Sequence, residues 1–190
     1  MCGPRGASVG RAGAAVLDMT QLETARLILR RPHCTDLPAY RAYCMSDRTR
    51  FTGGPFSTAK AFEKLAAMIG HWDMRGFGRV IACDRVSARP IGHVGALQLE
   101  DDQPPEMTWT LWSNADEGQG LAFEAAHAYL DHVCHARLFP ILLAHVEPEN
   151  LRSRNLALRL GAVLDTTATA TAPALVWTTT AVTYRFATSD

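Results

Sequence analysis

The chain has 190 residues, 47% of them apolar and 20% charged, with 19 basic residues balancing 19 acidic ones. That is an ordinary composition for one globular domain, long enough to bury about 70% of its unfolded surface without staples. Balanced charge without a basic, aromatic-laced run argues against a nucleic-acid surface, and no window reaches the roughly 18 apolar residues of a membrane span.

The first 18 residues stand apart: Met1 to Leu17 is rich in Gly, Ala and Arg and holds no acid before Asp18. It lacks the apolar core of a secretory signal and reads as a flexible leader, with Met19 as an alternative start. The domain then covers residues 19–190. Arg26–Arg30 alternates Leu27 and Leu29 with polar neighbours, a first strand. Thr35 is placed to cap a helix with Pro38 in its first turn, ending near Met45. Phe51-Thr52-Gly53-Gly54-Pro55 must be a loop. Ser57 caps a second helix, where Phe62, Leu65, Ile69 and Trp72 recur at helical spacing as a core stripe until Gly76 and Gly78 end it.

Three strands in meander order follow, Val80–Cys83, Ile91–Leu99 and Glu106–Trp112. A third helix is predicted from Leu121 to Ala136, a strand over Ile141–Val146, and a fourth helix over Leu151–Leu160 with Gly161 at its C-cap. Ala174–Phe186 supplies a last strand, entered through a turn in Thr166–Thr171. The order fits an α/β (α+β) domain: a mixed, mainly antiparallel six- to seven-stranded sheet flanked by four helices.

The chemistry concentrates in two stretches. Asp-Glu-Gly-Gln-Gly-Leu-Ala at 116–122 places two glycines one residue apart before an amphipathic helix. The N–H groups of a helix start lack intrahelical partners and carry the positive end of the dipole, so the site can hold a phosphate. A tight turn is the plainer reading of such a pair. The second stretch, Asn150-x-x-Ser153-x-x-Leu156-x-x-Arg159-Leu160-Gly161, closely resembles the second cofactor motif of the GNAT acyl-CoA N-acyltransferases. Gly118-x-Gly120-x-Ala122 looks like their pyrophosphate loop, at the separation that helix, strand and helix require. Leu22-Glu23-Thr24-Ala25-Arg26-Leu27-Ile28-Leu29-Arg30 resembles the first strand of a branch that includes bacterial enzymes acetylating the N-termini of ribosomal proteins.

The resemblance implies acetyl-CoA as co-substrate, with no metal, and a primary amine as acceptor (a protein N-terminus or a small molecule). It implies that backbone N–H groups of Glu117, Gly118, Gln119, Gly120, Leu121 and Ala122 hold the pyrophosphate. The backbone of Trp109 to Trp112, Leu111 and Trp112 included, would pair with the pantetheine amides, and Asn150 would hydrogen-bond the pantetheine arm. Asn150 also suits a helix cap, and both roles can coexist. Arg152 and Arg154 sit where they can reach phosphates or simply face water.

The chain departs from the family pattern twice. Ala115 stands where relatives often carry Gln or Arg, and the Asp116 and Glu117 that follow are electrostatically adverse beside a phosphate unless they point away. Ala157 stands where many relatives place a tyrosine as general acid for the departing thiolate, leaving Ser153 or a water. For the base, Glu106 opens the strand where many relatives place a carboxylate, and period-two alternation puts it on one face with Thr108, Thr110 and Trp112. A solvated strand end beside Pro104-Pro105 is the plainer reading.

His127, His132 and His135 share a helix with Cys134, but no third and fourth ligand converges, which argues against a metal. His145 is the better candidate for a proton carrier, although a structural role is the plainer reading, and His93 is uninformative. The five cysteines (Cys2, Cys34, Cys44, Cys83, Cys134) are odd in number and scattered without CxxC, as expected of reduced thiols in a cytoplasmic protein. The competing reading is a non-catalytic CoA-binding sensor or interaction module, kept alive by Ala115 and Ala157. Oligomeric state is left open, with a homodimer among the options.

Overall fold

A computed structural model of the protein describes residues 19–164 and 182–187. Its first strand is divided: β1 (Gln21–Glu23) and β2 (Leu27–Arg30) pair as an antiparallel hairpin, Leu22 opposite Leu29. Thr24 closes the turn, its Oγ1 accepting the Leu27 N–H at 2.9 Å. The next turn differs from expectation. A 3-10 turn over Cys34–Asp36 precedes α1 (Leu37–Cys44), and His33 with Asp36, not Thr35, forms the capping box.

Ser57 does cap α2 (Thr58–Arg75), accepting the Lys60 N–H, and Gly76 ends it in the left-handed region at φ 75°. Its core stripe is Ala61, Leu65, Met68, His71 and Trp72; Phe62, expected inside, is 59% exposed. Burial selects the face, and position 62 lies on its rim. β3 (Arg79–Asp84), β4 (Pro90–Leu97) and β5 (Glu106–Leu111) form the predicted meander. Then come α3 (Leu121–His135), β6 (Ile141–Val146), α4 (Leu151–Arg159), β7 (Val163–Leu164) and β8 (Val182–Ala187). The expected turn at Thr166–Thr171 lies outside the described residues.

The sheet runs β1-β2-β3-β4-β5-β6-β8-β7. Its eight strands exceed the expected six or seven because the hairpin divides the first and β7 adds a two-residue edge. Every pairing is antiparallel except β5 with β6. Side chains alternate between two cores. Leu27, Val80, Val94 and Met107 pack against Ala125, Tyr129 and Val133 of α3 and Ala157 of α4, while Ile81, Cys83 and Trp112 pack against Tyr40, Tyr43 and Cys44 of α1 and Leu65 and Met68 of α2.

Tyr129 joins α3 to the sheet. Its buried hydroxyl donates to the Gly78 carbonyl at 3.1 Å and accepts the Ala96 N–H at 3.1 Å. Tyr129→Phe strands both backbone groups in a dry core, so chemical denaturation is expected to show a loss of about 1–3 kcal/mol. An unchanged midpoint would mean that water replaces the hydroxyl.

Candidate active site

The glycine pair works through backbone shape. Gly118 (φ 73°) and Gly120 (φ 77°) both lie in the left-handed region, and Gly120 is the N-cap of α3 with no side-chain cap on the helix start. A Cβ at Gly118 would meet nothing within 4 Å, and one at Gly120 only the Arg26 guanidinium at 3.7 Å. The space in front of the loop is therefore open, and the first-turn N–H groups of Leu121 and Ala122 face no capping side chain. Gln119 braces the loop from behind: its Nε2 donates to the Ala115 carbonyl at 2.6 Å.

The two adverse acids are each neutralised by arginine. Asp116, 4% exposed, takes a bidentate grip from Arg89 at 2.6 and 3.1 Å. Glu117 is held between Arg48, at 2.8 Å, and Arg152. Burial pushes its carboxyl up, but the Arg48 and Arg152 contacts outweigh that and hold it below its ordinary value. Arg26 adds a third brace, bonding Glu124 of α3 at 2.6–2.7 Å and the Gln119 carbonyl at 2.9 Å. Sequence reasoning missed Arg26, Arg48 and Arg89, which lie 27 to 98 residues from their partners. The only signal was the unexplained acid pair beside a presumed anion site.

Strand alternation decides which backbone faces the gap beyond β5. The Trp112 N–H donates to the Ile91 carbonyl at 2.8 Å, inside the β4 ladder. In an antiparallel pair the next residues alternate, so Leu111 and Trp109 turn their N–H and C=O toward β6. Trp112 is thus directed away from the gap, and its indole is buried in the α1/α2 core, donating to His93 Nδ1 at 2.9 Å. Toward β6, β5 has one registered partner, Glu106 opposite Leu143, after which the strands separate. Arg48 occupies the Leu111 carbonyl through Nε at 3.1 Å and Nη2 at 2.8 Å. That leaves the Trp109 groups and the Leu111 N–H at the split.

Asn150 caps α4, its Oδ1 accepting the Ser153 N–H at 3.2 Å. The cap uses the carbonyl oxygen alone, and the amide nitrogen keeps two donors for another partner. Arg152 contacts Glu117, so the first turn of α4 meets the glycine loop where β5 and β6 diverge. Asn150 and Ser153 therefore join the loop. Glu106 lies at the far end of the split, roughly 17 Å along β5 from Leu111 at strand rise. There its carboxylate stands 3.6 Å from His145 Nδ1, with both side chains about a third exposed. The bond to Glu106 raises the imidazole pKa above its ordinary value, against the opposing effect of burial. Ala157 is fully buried in the core. Among the described residues no cluster of three or more His, Cys, Asp or Glu can hold a metal, and no helix is long and apolar enough to cross a membrane.

Known structures share this fold. An acetyltransferase of Agrobacterium tumefaciens superposes with a TM-score of 0.79 at 29% identity, over 93% of this chain and 99% of its own. The ribosomal L7/L12 α-N-protein acetyltransferase RimL, in complex with coenzyme A, shares the fold at TM-score 0.70 and 14% identity, over 86% of this chain and 95% of its own. So does the microcin C7 self-immunity acetyltransferase MccE, in complex with acetyl-CoA and AMP, at 0.73 and 10%, over 91% and 99%. No curated protein sequence matches the chain. The family model described as "Acetyltransferase (GNAT) domain" matches residues 26–163, which takes in the glycine loop, the split strands and the Asn150 helix, and the chain belongs to that family.

Proposed function

We propose that the chain is an acetyl-CoA-dependent N-acetyltransferase acting on a primary amine, a protein N-terminus or a small molecule. The observation that carries this is the split between β5 and β6, with two helix starts meeting at one end and a carboxylate at the other. The pyrophosphate lies on the N–H groups from Glu117 to Ala122. The pantetheine arm runs down the split, bonded by the backbone of Trp109 and Leu111 and by the Asn150 amide, and carries the thioester toward Glu106. Structures of RimL with coenzyme A and of MccE with acetyl-CoA support this cofactor.

An ammonium group cannot attack, so the acceptor must first lose a proton. Glu106 takes it, directly or through a water, and the neutral nitrogen attacks the thioester carbonyl. The C–N bond forms, the nitrogen gives up its second proton, which Ser153 or a water relays to the departing thiolate, and the C–S bond breaks. The products are an acetamide and free coenzyme A thiol. Thiol release from acetyl-CoA over a panel of amines tests the reading. Tight binding of acetyl-CoA without thiol release from any amine would favour the non-catalytic module that Ala115 and Ala157 suggest.

The α4 start separates binding from turnover. Asn150→Ala is expected to weaken acetyl-CoA binding by about 1–2 kcal/mol and to lower Tm, because it deletes a ligand bond and a cap together. Ser153→Ala should spare binding and lower turnover if its hydroxyl protonates the thiolate. Calorimetry and steady-state kinetics on the pair decide. A destabilised Asn150→Ala protein with parental affinity would make the residue a cap alone.

A further inference from the structure

On the α1/α2 side of the sheet, Arg79 of β3 and Lys64 of α2 are paired with no acid among the described residues. Arg79 opens β3 and Glu106 opens β5, and two antiparallel steps put both strand starts at the same end of the sheet. The row Arg79–Gly95–Thr108 lies next to the row Leu97–Glu106, and Gly95 between them contributes no side chain. At strand spacing Arg79 and Glu106 are roughly 12 Å apart along the backbone, a gap that two long side chains shorten.

Arg79 Nε is buried and has no hydrogen-bond partner among the described residues. Lys64 reaches the same place from α2, its ammonium over the Phe56 ring at 4.4 Å. Burial, followed by the Arg79 charge, lowers the Lys64 pKa, so the two cations destabilise each other. Neighbouring groups bring no negative charge. Burial raises the Tyr40 and Cys44 pKa values and keeps both neutral, and burial with the two cations holds His93 far below its ordinary value. The acids of this face are already engaged, Asp36 by Arg30 at 2.6 Å and Glu106 by His145. Neither Lys64 nor Arg79 makes an ion pair among the described residues.

Two half-buried cations without a counter-ion among the described residues, one strand row from the Glu106 carboxylate, constitute a recognition pattern. We infer that the amine acceptor carries a carboxylate, which docks between Lys64 and Arg79 while its amino group faces Glu106. This rests on the acetyl-transfer reading and narrows it. The carboxylate is either the α-carboxylate of a free amino acid or the side chain of an acidic N-terminal residue. A charge-assisted hydrogen bond is roughly twice as strong as a neutral one, and an acceptor without the carboxylate leaves the half-buried cations unanswered, so the carboxylate-bearing acceptor is preferred.

Thiol release from acetyl-CoA is measured with matched acceptors: peptides beginning Asp against Asn and Glu against Gln, and free glutamine against glutamine α-amide. At least one carboxylate-bearing member is expected to exceed its neutral partner in kcat/KM by roughly tenfold or more, the worth of one hydrogen-bonded charge. The pair that shows the preference identifies which carboxylate docks. Lys64→Met, which keeps the stem over Phe56 and removes the charge, should collapse the ratio to about twofold, chiefly through KM. Lys64→Glu should invert it. Equal rates within every pair, or an undiminished ratio in Lys64→Met, would overturn the inference and leave acetyl transfer standing. No thiol release with any amine would remove both. Should the Lys64 variants not fold, the ratios of the unaltered chain decide.

Discussion

Glu106→Gln is expected to lower turnover by about 10²-fold or more at neutral pH while leaving acetyl-CoA affinity near that of the parent. The carboxylate sits at the one point where β5 and β6 still pair, on the face shared with Thr108 and Thr110, away from the glycine loop. Removing it therefore touches the proton of the acceptor and not the anchoring of the cofactor. Glutamine keeps the shape and loses the basicity. Part of the loss should return at high pH, where free amine is abundant without a base.

His145 sharpens this test. Its pKa is raised chiefly by Glu106, so the variant's imidazole stays neutral to lower pH and becomes the nearest alternative base. Adding His145→Gln to Glu106→Gln should then lower whatever turnover remains. The sign of the stability effect also follows. A raised histidine pKa stabilises the fold at pH below the unfolded value, about 6.5, and the contribution disappears as pH rises through the folded value. The parent's advantage over Glu106→Gln in Tm should thus be larger near pH 6 than at pH 9. Unchanged turnover in Glu106→Gln would place the base elsewhere.

Gly118→Asp and Gly120→Asp are expected to abolish acetyl-CoA binding in calorimetry. The fold tolerates the added atoms at Gly118, since a Cβ there meets nothing within 4 Å. Aspartate is also among the few residues that enter the left-handed region, so the backbone penalty is about 1–2 kcal/mol at most. What the substitution changes is the open space before the α3 start, where bulk and a negative charge would replace the phosphates. Gly118→Asn, isosteric and neutral, should weaken binding less than Gly118→Asp, and the difference reads the charge alone. Gln119→Ala needs a separate expectation. Its side chain braces Ala115, so a modest loss of loop order accompanies it, although the main-chain amide is what the ligand uses. Parental affinity in the glycine variants would mean the cofactor does not use this loop.

Much of the architecture was legible because it depends on local signals. Ser57 before α2, Gly76 and Gly161 in the left-handed region after helices, and alternation in β3 to β5 are each set by one residue's own conformational preference. The order of elements along the chain and the paired cofactor motifs followed from spacing together with likeness to a known family. Errors fell where neighbours decide. Phe62 fits the helical stripe but lies on the rim of the face that α2 buries and stays exposed. Trp112 extends the apolar run of β5, yet its N–H completes the β4 ladder and its indole goes to His93.

Sequence alone was enough for most of the elements, the glycine pair before α3 and the candidacy of Asn150, Ser153 and Glu106. Those are properties of residues within a turn or two of one another. Tertiary contacts supply the counter-ions of Asp116 and Glu117, because Arg89, Arg48 and Arg152 arrive from other elements. The same packing sets Glu106 beside His145, next to the single paired position of two parallel strands, and gathers Lys64 and Arg79 on one face with no acid paired to either among the described residues. Charge compensation depends on distance in space and is largely screened beyond about 10 Å, so separation along the chain carries almost no information about it.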